Sequence, residues 1–394
     1  MRDYIKSATE LAEQIAPGAA ERDMNRQLPF EQMELIRQAN LGTARLPVTS
    51  GGGDIPFTDV VKIFITLSRA DPCVAQALFP HFATVEHLRL IASPSQQDKY
   101  FSEITRQKLT SGAIAERGGK IRGEITTQLS LREGRYLLNG TKFYSTGCLF
   151  ADYIKVQAVT EQGDAVYVMV PKQSPGVTLL DDWDGMGQRT TASGTTRLEN
   201  VEVPSEWIIP LHHWVNKRNY VGAVAQLIHC SIDAGIGLAA LEDAIRWIGK
   251  GVRPVKESGV ELAAYDPYIL RTIGELSAHI NAAVAIIDLA ARKVDLASRA
   301  QLSGNSNESQ TDILLTEASI AVAEAKIIST RSSLLVCERV YDIGGASTTQ
   351  KGLNLDRHWR NARTHTTHDS LDYKYKAVGN YLVNDIPPPI SFLY

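Results

Sequence analysis

The sequence predicts an α+β fold in three consecutive parts: helices, then a β-rich stretch, then long helices. Three observations predict it. Apolar residues recur at helical spacing through 1–111, and β-branched and aromatic runs bounded by turn residues fill 112–214. Ala/Leu/Ile-rich stretches much longer than an average helix then occupy 215–394. At 394 residues the chain is too long for one simple core, so the parts are expected to act as domains.

In the first part, Leu28-Pro29 leads into an apolar face of Phe30, Met33, Leu35 and Ile36. The turn-rich segment Thr49–Asp54 interrupts the pattern, which Phe57, Val60, Val61, Phe64 and Leu67 resume. Ser93-Pro94 begins another helix, with proline in the first turn and Gln96-Gln97 behind it. In the second part, Asn139-Gly140 reads as a two-residue hairpin turn between Tyr136-Leu137-Leu138 and Thr141–Tyr144. Tyr153–Val156 and Ala165–Val170 are further strands, and Ser174-Pro175-Gly176 is another turn. The whole reads as a β-barrel-like domain. In the third part, helices are expected through 222–248, 266–300 and 309–342, with the polar linker Ser303–Asn307 before the last. Helices this apolar bury more than one face, in a bundle or against another subunit.

Composition narrows the function. With 44% apolar and 22% charged residues the chain reads as a soluble globular protein. The net charge is −3 with both signs interspersed, so nucleic acid is not an expected partner. The start Met1–Lys6 has no apolar signal core, and no run reaches the roughly 18–20 apolar residues that span a bilayer. No membrane association is expected. Cys73, Cys148, Cys230 and Cys337 show no CxxC spacing and read as buried free thiols in a reducing cytoplasm.

Several short stretches recur in one order. They are Ala70-Asp71-Pro72, Leu138–Lys142, Asp181-Asp182-Trp183 with Gly187, Arg189 and Ser193-Gly194, and Arg253-Pro254. Asp266-Pro267-Tyr268, Asp356–His365 and His368-Asp369 with Tyr373-Lys374 follow. Together they resemble the acyl-CoA dehydrogenase superfamily over nearly the whole chain, and more closely its flavin-dependent monooxygenase branch, that of the dibenzothiophene monooxygenases. The resemblance implies an N-terminal helical domain, a central β-domain and a C-terminal four-helix bundle.

It also implies a site. Tyr144 and Thr146 match positions that pack on the flavin ring and bond its polar edge, where the residues alone would read as an ordinary cross-strand pair. Trp183 matches a tryptophan that helps enclose the flavin, and the Ser193 hydroxyl is expected on phosphate or ring. Arg253 matches an arginine that holds a neighbouring subunit's flavin phosphate, a task suited to a guanidinium's paired donors. The expected assembly is therefore a homotetramer. His365 and His368, with Asp369, stand out in a run that is neither amphipathic nor core-like. Their i, i+3 spacing would put both imidazoles on one helical face; it also suits a metal, but no further Cys/His cluster accompanies it, and no metal is expected. Acyl-CoA dehydrogenases carry a catalytic glutamate in this segment, where an ungapped reading puts Asp369, while the monooxygenase branch has the His-Asp pair. His81 matches a pocket histidine near the flavin's reactive edge, although a lone histidine among apolar residues is more often a satisfied core residue.

Three departures bear on the substrate. Gly112 stands where the dibenzothiophene monooxygenases have an asparagine, Ala346 where they have an arginine, and Glu116–Lys120 lacks the Gly-Ser-Asp turn of the thioester enzymes. The implied activity is a two-component monooxygenase. A separate reductase supplies reduced FMN (FAD being the other flavin considered), oxygen adds at flavin C4a, and the hydroperoxide passes one oxygen to sulfur, nitrogen or an electron-rich carbon of a small organic substrate. His368, oriented by Asp369, would handle the peroxide proton, with His81 and Thr146 stabilising the adduct. The alternatives are an FAD-dependent acyl-CoA dehydrogenase with Asp369 as base, and a flavin-binding protein without turnover.

Overall fold

Six helices open the chain: α1 (Tyr4–Ile15), α2 (Ala19–Asn25), α3 (Phe30–Gln38), α4 (Phe57–Ala70), α5 (Pro72–Ile91) and α6 (Pro94–Thr105). The computed structural model describes residues 2–117, 121, 123–214, 216–304, 307–391 and 393–394. Gly118-Gly119-Lys120 and the middle of the Ser303–Asn307 linker lie outside these residues. Sequence punctuation sets the helix starts. Ser93 and Gln96 exchange side-chain and backbone hydrogen bonds as a capping box at α6. Asp71 caps α5 through the Cys73 N–H, with Pro72 in the first turn, and its carboxylate is also held by the buried Arg22 at 2.9 Å.

The β part holds, among the described residues, β1 (Thr110–Ala113), β2 (Gln128–Arg132), β3 (Arg135–Lys142), β4 (Tyr153–Thr160), β5 (Ala165–Pro171), β6 (Val177–Leu179), β7 (Thr196–Val203) and β8 (Ile208–Pro210). They form one sheet in the order β6-β7-β3-β2-β4-β5-β8, with β1 also pairing in parallel with β4. Among the described residues hydrogen bonding runs from β6 to β8 without closing on itself, so the barrel-like expectation is corrected to an open sheet. Val156, Val168, Leu138 and Val201 fill its apolar face.

The expected Asn139-Gly140 hairpin turn is also corrected. Both residues lie inside β3, where the register slips between Leu138 and Gly140. Glycine stands there because a Cβ would run into the Thr127 side chain, not because the chain reverses. The reversal is at Glu133-Gly134, both at positive φ (50° and 78°), which the I′-type hairpin demands. After Lys142 the chain leaves the sheet, so Tyr144 and Thr146 sit on a loop and not on a strand; Tyr144 itself has φ 56°.

Helices return with α7 (Val221–Ile248), α8 (Pro267–Ser303), α9 (Glu308–Arg339), the short α10 (Tyr341–Gly344), α11 (Asp356–His365) and α12 (Leu371–Asn384). α7, α8 and α9 pack together, α12 lies on α9, and α4 joins α7 from the N-terminal part, so one core runs through both helical parts. Asp266 caps α8 by accepting from the Tyr268 and Ile269 N–H groups. By length and composition α7 and α8 are apolar enough to cross a membrane, against the sequence expectation. The most apolar window of α7 is 89% buried inside the fold, as in a core helix, whereas that of α8 is 28% buried.

Candidate active site

Three parts of the chain meet at the start of α5. A Cβ on Gly147 would run into the Ala77 carbonyl, so the loop after β3 lies directly on α5. That loop is tied to the next one: the Ser145 N–H donates to Gly194 O (3.0 Å) and the Gly147 N–H to Thr191 O (3.1 Å). α11 lies on the same second loop. The Gln188 N–H donates to Asn361 Oδ1 (2.6 Å), and a Cβ at Gly187 would collide with the Arg360 carbonyl. One turn beyond Asn361 comes His365, which faces Gln76 of α5 at 3.1 Å.

On the β side the structure brings Thr146 and Ser193 together, their hydroxyls 2.7 Å apart. Thr191 Oγ1 is another 2.7 Å from Ser193, and Ser111 donates to the Thr146 carbonyl at 2.5 Å. Tyr144 and Trp183 meet edge to face with centroids 6.1 Å apart, and Tyr144 remains 51% exposed. The Trp183 indole is set by donating to Gln188 O (2.8 Å), and Arg26 holds its carbonyl (2.9 Å). These residues fit a flavin. Its ring needs an aromatic wall and hydrogen-bonding groups on one edge, and hydroxyls both donate and accept. The buried Ser145 Oγ has no partner among the described residues, leaving hydrogen-bonding capacity beside Thr146. Arg253 is not brought to this cluster. It stands exposed in the segment between α7 and α8.

On the bundle side lies a buried polar cluster that sequence reasoning only half found. His365 Nδ1–H donates to Asp233 Oδ1 at 2.5 Å, and Lys326 Nζ holds Asp233 Oδ2 at 3.0 Å. His365 Nε2 is 3.0 Å from Nδ1 of His229. The His229 ring is 4.4 Å from that of Phe79 and 4.5 Å from that of His368. His368 Nδ1 is 3.6 Å from Asp369 Oδ1, and Lys374 Nζ is 3.1 Å from Asp369 Oδ2. The one-face expectation for His365 and His368 is corrected in its reason: α11 ends at His365, and His368 lies in the turn beyond. Both rings nevertheless approach His229. Of the His-Asp pair, the His368 side chain is 43% exposed and Asp369 2%. His229, Asp233 and Lys326 were missed. The available signal was a histidine and an aspartate four residues apart in an otherwise apolar helix, since such residues are almost never buried unless paired.

Burial and partners set the charges. Burial alone would raise the Asp369 carboxyl, but His368 and the Lys326 and Lys374 ammonium groups outweigh it and hold it well below the usual range. Asp233 is likewise held low, against burial, by Lys326 and His365. Burial pushes His365 down despite Asp233, and His229 well down, with His368, His365, Lys326 and Lys374 adding to the effect.

His81 is a different kind of histidine. It is 1% exposed, its Nε2 is 2.9 Å from Gly42 O, and its Nδ1 accepts from the Thr110 N–H at 3.0 Å. Both ring nitrogens are thus occupied by backbone, and burial pushes it down to about 4. A cavity of about 560 Å³ beside the start of α11, lined by Met24, Met186, Arg189, Lys351 and Arg360 among others, includes none of the expected site residues.

Comparison with known proteins agrees with this architecture. The N-terminal, middle and C-terminal domain families of acyl-CoA dehydrogenase match residues 2–108, 113–201 and 227–373 in that order. Dibenzothiophene monooxygenase of Mycolicibacterium goodii is 29% identical, covering 99% of this chain and 96% of its own length. A probable FMNH2-dependent monooxygenase, SfnC of Pseudomonas putida, is 28% identical over 99% of this chain and 97% of its own. Among solved structures, FMN-bound TdsC from Paenibacillus sp. A11-2 superposes with a TM-score of 0.92 at 28% identity, covering 99% of this chain and all of its own. The chain belongs to the acyl-CoA dehydrogenase superfamily, in its flavin-dependent monooxygenase branch.

Proposed function

We propose that this monooxygenase receives reduced FMN from a separate reductase and transfers one oxygen atom of O2 to a small organic substrate, at sulfur, nitrogen or an electron-rich carbon. The observation that carries this over the acyl-CoA dehydrogenase alternative is Asp369. A dehydrogenase base must take an α-proton, but this carboxylate is ion-paired with Lys374 at 3.1 Å, has His368 at 3.6 Å, and is held well below the usual range. It is built to stay ionised and orient His368. Support for FMN over FAD comes from the FMN-bound and FMNH2-dependent relatives.

When bound, reduced flavin supplies the electrons that activate oxygen. Tyr144 and Trp183 would wall the ring, and the Thr146 and Ser193 hydroxyls would hydrogen-bond its polar edge. Arg253, exposed between α7 and α8, would hold the phosphate of the flavin bound to a neighbouring subunit of a homotetramer. His368 holds and returns the proton at the reacting oxygen, and Asp369 fixes its orientation. His365 is a positioning residue. His81, with both nitrogens engaged, serves as wall. The four buried free cysteines fit a reducing cytoplasm.

The test is substrate-dependent incorporation of isotopic oxygen by the protein supplied with reduced FMN. Incorporation with oxygen uptake is expected. Anaerobic bleaching of bound FAD by an acyl-CoA thioester, without oxygen incorporation, would overturn the reading in favour of the dehydrogenase.

A further inference from the structure

His229 is the buried imidazole whose hydrogen bonding is incomplete. It is 1% exposed, and its Nε2 has no partner among the described residues. Leaving a buried polar atom unpaired costs free energy, so such an atom calls for a ligand. The atoms behind it decide its character. Asp233 accepts from Lys326 on one oxygen and from His365 Nδ1–H on the other. With Lys326 already balancing the carboxylate, His365 stays neutral, and its proton must be on Nδ1 because a carboxylate only accepts. His365 Nε2 is then a lone pair, and His229 Nδ1–H donates to it at 3.0 Å. The structure puts Gln76 Oε1 3.1 Å from the same nitrogen; facing a lone pair, the amide is assigned the other way round, with its NH2 group toward Nε2. His229 Nε2 is thereby left as a bare acceptor.

From this geometry we infer that His229 is a substrate-recognition residue, whose Nε2 accepts a hydrogen bond from an N–H or O–H group close to the atom that is oxygenated. Asp233 and His365 are positioning residues that fix its tautomer. The surroundings point the same way. Among the described residues the charged and titratable groups around His229 are His365 on α11, His368, Asp369 and Lys374 beyond it, Lys326 on α9, and Asp233 and Cys230 on α7 itself. The two carboxylates are each paired with a lysine. Burial and the cations keep His229 neutral, so with its one proton on Nδ1 the Nε2 atom accepts. Phe79, its ring tilted against that of His229 with centroids 4.4 Å apart, supplies an apolar wall for a planar or compact substrate. Among the described residues no group of three or more His, Cys, Asp or Glu side chains is placed to hold a metal ion.

The inference rests on the monooxygenase reading, and its test is equilibrium binding to the flavin-free protein, so the two can fail separately. The probes are indole, which carries one N–H donor, and 1-methylindole and benzothiophene, bicyclic rings without a donor. Indole is expected to bind at least about tenfold more tightly, the return on one hydrogen bond of about 1.4 kcal/mol. In His229→Phe, which keeps a planar ring, the preference falls to within about twofold. His229→Gln, which restores an acceptor, recovers part of it, and Asp233→Asn weakens it by releasing the tautomer. A role in packing alone would move stability and leave the preference ratio unchanged. Equal binding of indole and 1-methylindole, survival of the preference in His229→Phe, or no binding of any probe would overturn the inference. So would tighter, His229-dependent binding of benzenesulfinate, an anion that only accepts. Loss of oxygen incorporation with the preference intact would count against the monooxygenase reading only.

Discussion

Two buried histidines, one on each side of the junction, have opposite fates. His81 in the N-terminal wall and His229 in the bundle core are each 1% exposed, and burial lowers the basicity of both. His81 spends both nitrogens on backbone groups of Gly42 and Thr110. His229 spends one on His365 and keeps the other open beside His368 and Phe79. Burial and a shifted pKa are shared by a wall residue and a site residue, so neither identifies a site. What separates them is unspent hydrogen-bonding capacity backed by a charged partner.

The largest expected effect falls on the bundle side. His368→Ala should bind reduced FMN normally yet lose about 10²–10⁴-fold in product formation, the range for a lost acid–base group. Oxygen uptake continues, with hydrogen peroxide replacing product in a coupled peroxide assay. Wild-type coupling in this variant would remove His368 from the chemistry.

Next comes the support behind the open histidine. Asp233→Ala strands the buried Lys326 charge and should cost about 3–5 kcal/mol in denaturant unfolding. A loss below 1 kcal/mol would mean the cluster is not electrostatically closed as described.

The wall histidine is tested by pH. Its folded pKa is depressed to about 4 from 6.5, so the unfolded chain takes up the proton first. Stability from His81 is therefore complete above pH 6.5 and is lost as pH falls toward 4, by about 3 kcal/mol for such a shift. His81→Phe should flatten the unfolding free energy across that window by about this amount, leaving indole preference unchanged. A changed preference would place His81 in the site after all.

The smallest effect lies outside both regions. Arg253→Ala should weaken reduced-FMN binding by about 1.5–3 kcal/mol, the scale of hydrogen bonds to a charged group, without altering the indole preference. Unchanged affinity would free Arg253 from the phosphate role, and a monomer that binds FMN tightly in light scattering would remove the neighbouring-subunit argument altogether.

Much of this molecule is legible in the sequence, for a physical reason. Helix periodicity, the Ser93–Gln96 capping box and the Asp266 cap depend on neighbours three or four residues away, so the pattern contains its own cause. Family resemblance located Thr146 and Ser193, and the structure puts their hydroxyls in contact. Local reasoning failed wherever a distant group decides. Asn139-Gly140 has the chemistry of a turn, but the Thr127 side chain lies against it and makes it a bulge. His229, Asp233 and Lys326 read singly as polar oddities in apolar helices. Only the packing of α7, α9 and α11 joins them into one cluster, across 136 positions from His229 to His365. Sequence alone determined which elements form and which chemistry-bearing residues exist. Tertiary structure decided which imidazole is satisfied and which is left open, because that balance is set by partners the chain brings together only on folding.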